Sequence, residues 1–454
     1  MICIIIPSIL ILVEIRKHFI LNRIYNFRKE VKRTKMKSPK TKTDPKQSTF
    51  IGLTSGKKPV YIPNNAKNIF ICGTTGSGKT VALSNFIKTS IDKNYPALII
   101  DGKGDTSDGS MLDMIEKLNT KLNTNKKVYV INLTHIFLSS KYNPFQNASP
   151  TVAKDMLINM TKWSEEHYKL NTERYLQRLV MLLHKSRIQL SFKNIIHYMP
   201  MNEFLQLSAE LMKNETISKF EHVENTNIAK NSGKIAENAV ARFSTIQESE
   251  LGTIFDDNGI DIYTALKEKA IILFILNPLI YPELSSLIGR LIMIDAKKAI
   301  SKLFTKSNER TFFIFDEINV YASPVLVDLV NKSRSANVTN ILATQSLSDL
   351  DFANGEAFKE QIIENCNNYL VLRQNSSVNA EHGANILGTR STMEVTYQLQ
   401  QKGLNTSETG FGSAKRVREY LFHPDDIKTL ATGKGVFLSR DAGQQCKINI
   451  HKPF

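Results

Sequence analysis

With 454 residues, the chain is too long for one ordinary hydrophobic core, and two domains with a tail are expected. Its 42% apolar content supports globular packing, while four widely spaced cysteines (Cys3, Cys72, Cys366, Cys446) without a CxxC pair argue against a disulfide scaffold or a zinc site and fit a reducing compartment. The net charge of +16 is concentrated: twelve lysines and arginines but only two acids, Glu30 and Asp44, lie between Arg16 and Lys46.

The first stretch, Met1 to Val13, reads MICIIIPSILILV. Thirteen helical residues reach roughly 20 Å against about 30 Å of hydrocarbon, so the segment is short for a spanning helix. Residues 1–15 are read as a membrane-anchor candidate, with an interfacial helix as the alternative. The basic linker 16–48 behind it would keep the bulk of the chain on the cytoplasmic side of the inner membrane. That linker reads either as a juxtamembrane stretch drawn to anionic lipid or as a DNA-contacting arm, and both readings stand.

Phe50 to Asn64 predicts short strands. Ile69-Phe70-Ile71-Cys72 is then a buried strand running into Gly73-Thr74-Thr75-Gly76-Ser77-Gly78-Lys79-Thr80 and a helix over Val81–Asp92. Strand, glycine-rich turn and Lys-Thr at this spacing match the Walker A pattern. The glycines let several N–H groups face one anion and the helix start adds its positive end. Lys79 can reach β- and γ-phosphates of ATP, and the Thr80 hydroxyl can hold Mg2+. The plain alternative is a glycine-rich turn without a ligand. Ala97–Ile100 predicts a strand delivering Asp101 to a strand end, where open α/β sheets gather function; the alternative is a turn built of Asp and Gly. Val128–Ile131 predicts another strand. Strands alternating with helices indicate a parallel sheet covered on both faces.

After Asn147-Ala148 the pattern turns helical. Helices are expected over Thr151–His167, which carries Trp163, and over Thr172–Leu190, Asn202–Lys213 and Asn225–Ser249, the last with Gly233 as an interruption point. Residues 149–258 are therefore read as an all-α insertion, dividing a motor domain into 49–148 and 259–454.

The strand pattern resumes at Ile271–Leu276, a helix follows over Leu284–Leu303, and Thr311–Phe315 delivers Asp316-Glu317. An apolar run ending in two acids has the Walker B form: Asp316 to hold Mg2+ through water, Glu317 to polarise the attacking water. Gln345 ends the strand Asn340–Thr344 and can sense the γ-phosphate or orient water. Arg334 and Arg373 are the candidates for an arginine finger acting across a subunit interface, against the plain reading of salt-bridging arginines. The segment from Tyr420 to Ile450 is expected to add an edge hairpin.

Together, Gly73–Thr80, Asp101-Gly102-Lys103-Gly104-Asp105, Tyr142-Asn143-Pro144-Phe145, Phe315-Asp316-Glu317, Ser333-Arg334-Ser335-Ala336-Asn337 with Ala343-Thr344-Gln345-Ser346, and His423-Pro424-Asp425-Asp426-Ile427 resemble the type IV secretion system coupling proteins of conjugation, the TraG/TraD-like class. The resemblance implies an α/β, RecA-like P-loop ATPase with an inserted all-α domain, ring-shaped homo-hexamers, ATP and Mg2+, and single-stranded DNA with an attached relaxase as cargo for a secretion channel. Members of that family commonly have two spanning helices, and this chain offers one short apolar stretch. Two other readings compete. A ring translocase of segregation or packaging would carry a DNA-reading domain, for which Phe454 leaves no room. A non-hydrolysing cargo adaptor is disfavoured by the intact Asp316-Glu317 pair.

Overall fold

The computed structural model describes residues 14–18, 44–160, 163, 165–303, 309–402 and 405–454. Met1–Val13 and most of the basic linker lie outside the described residues, and among the described residues no helix is long and apolar enough to cross a membrane.

The strands are β1 (Ser48–Thr54), β2 (Pro59–Pro63), β3 (Ile69–Cys72), β4 (Ala97–Asp101), β5 (Val128–Asn132), β6 (Ile271–Ile275), β7 (Thr311–Asp316), β8 (Val338–Thr344), β9 (Asn368–Val371), β10 (Thr389–Lys402), β11 (Asn405–Tyr420), β12 (Lys434–Ser439) and β13 (Gln444–Ile450). Eleven of them form one sheet in the order β2-β1-β13-β12-β9-β3-β8-β7-β4-β6-β5. The run from β9 to β5 is wholly parallel. Period-two alternation explains why these strands are apolar throughout, because each face has its own cover. On β3, Ile69 and Ile71 pack with the helices Lys79–Asp92 and Met111–Lys121, while Phe70 and Cys72 join the opposite core with the helices Pro282–Leu303 and Pro324–Lys332.

The C-terminal hairpin is not at the edge. β12 pairs with β9 and β13 with β1, so the hairpin bridges the parallel strands to the N-terminal pair, and β2 is the edge. An expectation drawn from local pattern missed this because β12 pairs with a strand across two helices and a ribbon, Val436 against Val371, and β13 with one near the start of the chain, Ile450 against Gly52. A long two-stranded ribbon, β10 with β11, paired from Thr389↔Tyr420 to Lys402↔Asn405 with a register shift between Tyr397 and Leu399, was likewise not foreseen.

Between β5 and β6 run the helices Pro150–Met160, Glu166–Lys185, Phe192–Tyr198, Met201–Lys213 and Lys219–Gln247. Trp163 lies beyond the first of these rather than within it, its indole N–H donating to the Ile158 carbonyl at 2.8 Å. Gly233 does not break the long helix; a Cβ there would come within 3.3 Å of Met201 Sδ, so the glycine serves a close helix approach. Tyr175, Leu176, Leu179, Val180, Leu182 and Leu183 are all buried, and their core is continuous with that on one face of the sheet.

The chain leaves and re-enters the sheet layer beside a buried ionic cluster. Lys298 Nζ lies 2.9 Å from both Asp261 Oδ2 and Asp295 Oδ1. It also donates to the Pro144 and Gln146 carbonyls at 2.7 and 2.6 Å. The Tyr142 hydroxyl donates to Asp295 Oδ2 at 2.8 Å. The stretch Tyr142–Gln146 is thereby fastened to the helix Pro282–Leu303.

Candidate nucleotide site

The carboxyl ends of β3, β4, β7 and β8 lie side by side, and each delivers polar groups to one place. The loop after β3 curls through Gly76 (φ 73°) and Gly78 (φ 109°) before the helix Lys79–Asp92 begins. Among the described residues no backbone carbonyl takes up the N–H groups of Thr75, Gly76, Gly78 and Lys79. That leaves donors converging at a helix start, where an anion is favoured. Two contacts from the far end of the chain brace this loop: Gly433 N–H donates to the Ser77 carbonyl at 3.0 Å and Thr432 Oγ1 to the Gly76 carbonyl at 3.0 Å. Thr432 and Gly433 carry no local motif, so sequence reasoning missed them.

Lys79 is buried. Its ammonium donates to the Gly73 carbonyl at 2.7 Å and lies 3.5 Å from Glu317 Oε1. Burial pulls the lysine below its ordinary range and pushes Glu317 up, with Asp316 adding repulsion to the latter; the attraction between the two offsets part of both shifts. Glu317 occupies a left-handed backbone conformation (φ 51°, ψ 54°) that a side chain adopts only at some cost, on the order of 1–3 kcal/mol. Its Oε1 accepts from Gln345 Nε2 at 3.2 Å, and Oε2 is buried with no hydrogen-bond partner among the described residues. Gln345 is itself tied to the phosphate-loop side, since Thr75 Oγ1 lies 3.3 Å from its amide oxygen. The Gln345 carbonyl accepts from Gln374 Nε2 at 3.1 Å.

Asp316 ends β7 opposite Asp101 on β4. Oδ1 of Asp316 accepts the Glu317 N–H at 3.1 Å, and Oδ2 is ion-paired with Lys103 at 3.2 Å. Lys103 Nζ also donates to Thr80 Oγ1 at 3.1 Å. Burial acts to lower the Lys103 ammonium's range, but Asp316, Glu317 and Asp101 outweigh it and the net shift is upward. The Gly102 backbone lies against the acidic pair so closely that a Cβ there would meet Glu317 Cβ at 2.9 Å and the Asp316 carbonyl at 3.0 Å. The Tyr321 hydroxyl donates to the Asp316 carbonyl at 2.9 Å. The Asp-Gly-Lys-Gly-Asp stretch is visible in the sequence, but nothing local signals that its lysine points at Thr80.

Burial, then repulsion from Asp316, raises the Asp101 carboxyl to about 7. An unfolded aspartate titrates near 4, so the folded chain holds this proton more tightly. The associated stability is full below about pH 4 and is lost as pH rises to about 7. Asp101→Asn keeps an acceptor for the Lys103 N–H, which Oδ1 takes at 2.9 Å. In thermal melts with EDTA it should gain on the order of 2 kcal/mol over wild type at about pH 8 and nothing near pH 4.

The arginine candidates are not brought to the acids. Arg334 is exposed ahead of β8, at the sheet end opposite the site. The Arg373 carbonyl accepts the Thr74 N–H at 2.9 Å, tying that residue to its own chain's loop.

The donor set fits a nucleoside triphosphate with Mg2+. The orphaned loop N–H groups suit phosphate, and the orphaned Glu317 Oε2 suits a water. Among the described residues no three His, Cys, Asp or Glu form a metal cage. Mg2+ is usually held by one or two carboxylates with phosphates and waters, which Thr80 and Asp316 suit.

Residues 310–432 match the family model described as the TraM recognition site of TraD and TraG, and residues 53–111 match the type IV secretion-system coupling protein DNA-binding domain. An uncharacterized protein of Mycoplasma pneumoniae is 34% identical over 121 residues, 27% of this chain and 78% of that protein. Among solved structures, the bacterial conjugative coupling protein TrwB, lacking its first 70 residues and unbound, superposes with a TM-score of 0.61 at 15% identity, covering 89% of each chain. TrwB in complex with ADP and Mg2+ gives 0.59 at 15% identity, again over 89% of each. The backbone is thus the RecA-like P-loop fold of that protein. Both family models match in chain order on either side of the helical segment, and together they support a type IV secretion system coupling protein.

Proposed function

We propose that the protein is an ATP-driven pump that brings single-stranded DNA, with its relaxase, to a type IV secretion channel during conjugation. The carrying observation is the convergence of Lys79, Thr80, Asp316, Glu317 and Gln345 from three separate strand ends within hydrogen-bonding or ion-pairing reach of one another, directly or through Lys103. In this reading 49–148 and 259–454 form the motor domain and 149–258 an inserted all-α domain. Residues 1–15 tether it to the inner membrane, and the working form is a ring, a homo-hexamer assembled on nucleotide or DNA.

The chemistry follows from the side chains. Gly73–Thr80 wraps the phosphates with backbone N–H groups, and the Lys79 ammonium leaves the Gly73 carbonyl for the β- and γ-phosphate oxygens. Thr80 and Asp316 would hold Mg2+, which when bound neutralises charge on those oxygens. Glu317 takes a proton from the attacking water at Oε2, and Gln345 keeps Oε1 fixed while it does so. The upward shift of Glu317 brings its basicity closer to neutral pH, where a general base works best. Arg334, exposed, is better placed than Arg373 to serve a neighbouring copy's site.

The test is phosphate release by the full chain in detergent with Mg2+ and ATP, with single- or double-stranded DNA. DNA should stimulate release. That stimulation should fall by orders of magnitude between about 50 and 200 mM salt, because the contacts are to phosphate. ATP retained without any phosphate release would favour the adaptor reading instead, and neither retention nor release would remove the motor.

A further inference from the structure

We propose that Lys103 is a built-in cation that stands in the metal position of this site and must withdraw before a divalent ion can be held there. The inference rests on the reading that Thr80 and Asp316 are the metal's protein ligands. Lys103 Nζ lies 3.1 Å from Thr80 Oγ1 and 3.2 Å from Asp316 Oδ2, the same two oxygens. Mg2+ binds its oxygens at about 2.1 Å and demands near-ideal octahedral geometry. An ammonium and a divalent ion addressing one pair of oxygens exclude each other by volume and by charge.

The local build separates a fixed backbone from a movable side chain. The Lys103 N–H is held by Asp101 Oδ1 at 2.9 Å, and the Gly104 carbonyl by Thr134 Oγ1 at 3.0 Å. The lysine side chain is 33% exposed, whereas Asp316 is 1% exposed. A flexible four-carbon stem with a solvent-facing side can swing away while the loop stays put. Asp316 therefore keeps a counter-charge when no metal is present, and the cluster of Asp101, Asp316 and Glu317 is not left facing Lys79 alone.

A purely structural ion pair would look the same in a static view, so the test asks whether a metal can replace the lysine. The full chain in detergent, without nucleotide, is compared with Lys103→Met and Lys103→Gln by thermal melting in EDTA and in millimolar Mg2+, and by Mn2+ binding followed by electron paramagnetic resonance. Both variants should melt lower than wild type in EDTA and regain most of the loss in Mg2+, while wild type is unmoved by Mg2+. Their Mn2+ affinity should rise by at least roughly tenfold, and Asp316→Asn added to either should abolish that gain. Unchanged Mn2+ affinity with a loss that Mg2+ does not restore overturns the proposal, as does failure of both variants to fold even in Mg2+. Asp316→Asn alone tests the underlying assignment: if the Mg2+ dependence of nucleotide binding survives it, the metal reading falls. If that dependence is lost while the Lys103 variants gain no metal affinity, only the lysine proposal falls.

Discussion

Glu317→Gln is expected to lower the rate of phosphate release by about 10² to 10⁴, the usual contribution of a positioned general base, while ATP stays bound. Glutamine keeps the shape of the side chain and an acceptor for Gln345 Nε2, now at 3.2 Å from Oε1. It removes the proton acceptor at Oε2, the buried oxygen with no hydrogen-bond partner among the described residues. Removing the charge also relieves the repulsion between Glu317 and Asp316 and frees Lys79 from one of its two carbonyl or carboxylate partners. Nucleotide affinity should accordingly hold or rise. Filter binding of labelled ATP alongside a phosphate-release assay separates the two effects. Full activity in the variant would move the base elsewhere.

The largest effect on stability is expected at Lys298→Met. Asp261 and Asp295 are fully buried, and their shared cation is Lys298. Burial alone pushes the Asp295 carboxyl up, and the lysine is the main force holding it down. Removing one member of a buried ionic group leaves uncompensated charge, which costs about 3–5 kcal/mol. Here the Pro144 and Gln146 carbonyls also lose their donor. Thermal melts should shift down by about 10 °C. Adding Asp295→Asn should return part of that loss, because the partners belong to one network and their effects do not add. A fully additive double variant would show that the cluster is not energetically coupled.

The site was legible where chemistry and local order coincide. Gly73–Thr80 and Asp316-Glu317 each combine an apolar strand with polar groups at its end, and both can be read within a dozen residues. The same strand-end logic singled out Gln345, which lies beside Glu317. The helices between β5 and β6 declared themselves by spacing, as with Tyr175, Leu176, Leu179, Leu182 and Leu183 on one face. What could not be read depends on partners far away in sequence. The contact of Lys103 with Thr80 spans 23 residues, that of Thr432 with Gly76 spans 356, and neither leaves a pattern. The misplacement of β12 and β13 has the same origin, since a hairpin at a sheet edge and one between two other strands have the same local sequence. The ribbon of β10 and β11 was overlooked although part of it carries a strand signal: Met393, Val395, Tyr397 and Leu399 alternate with Glu394, Thr396, Gln398 and Gln400, while β11 is largely polar and shows no such run.

The pairing of β3 with β8 and β9 also fixes a timetable for biosynthesis. The phosphate-loop strand emerges early, yet the neighbours that flank it on both sides, Ile341 and Asn368 against Ile69, follow roughly 270 to 300 residues later. At about 5–20 residues per second the ribosome needs on the order of fifteen to sixty seconds to supply them. Throughout that interval a bare apolar strand waits on the nascent chain, where chaperone capture competes with clumping.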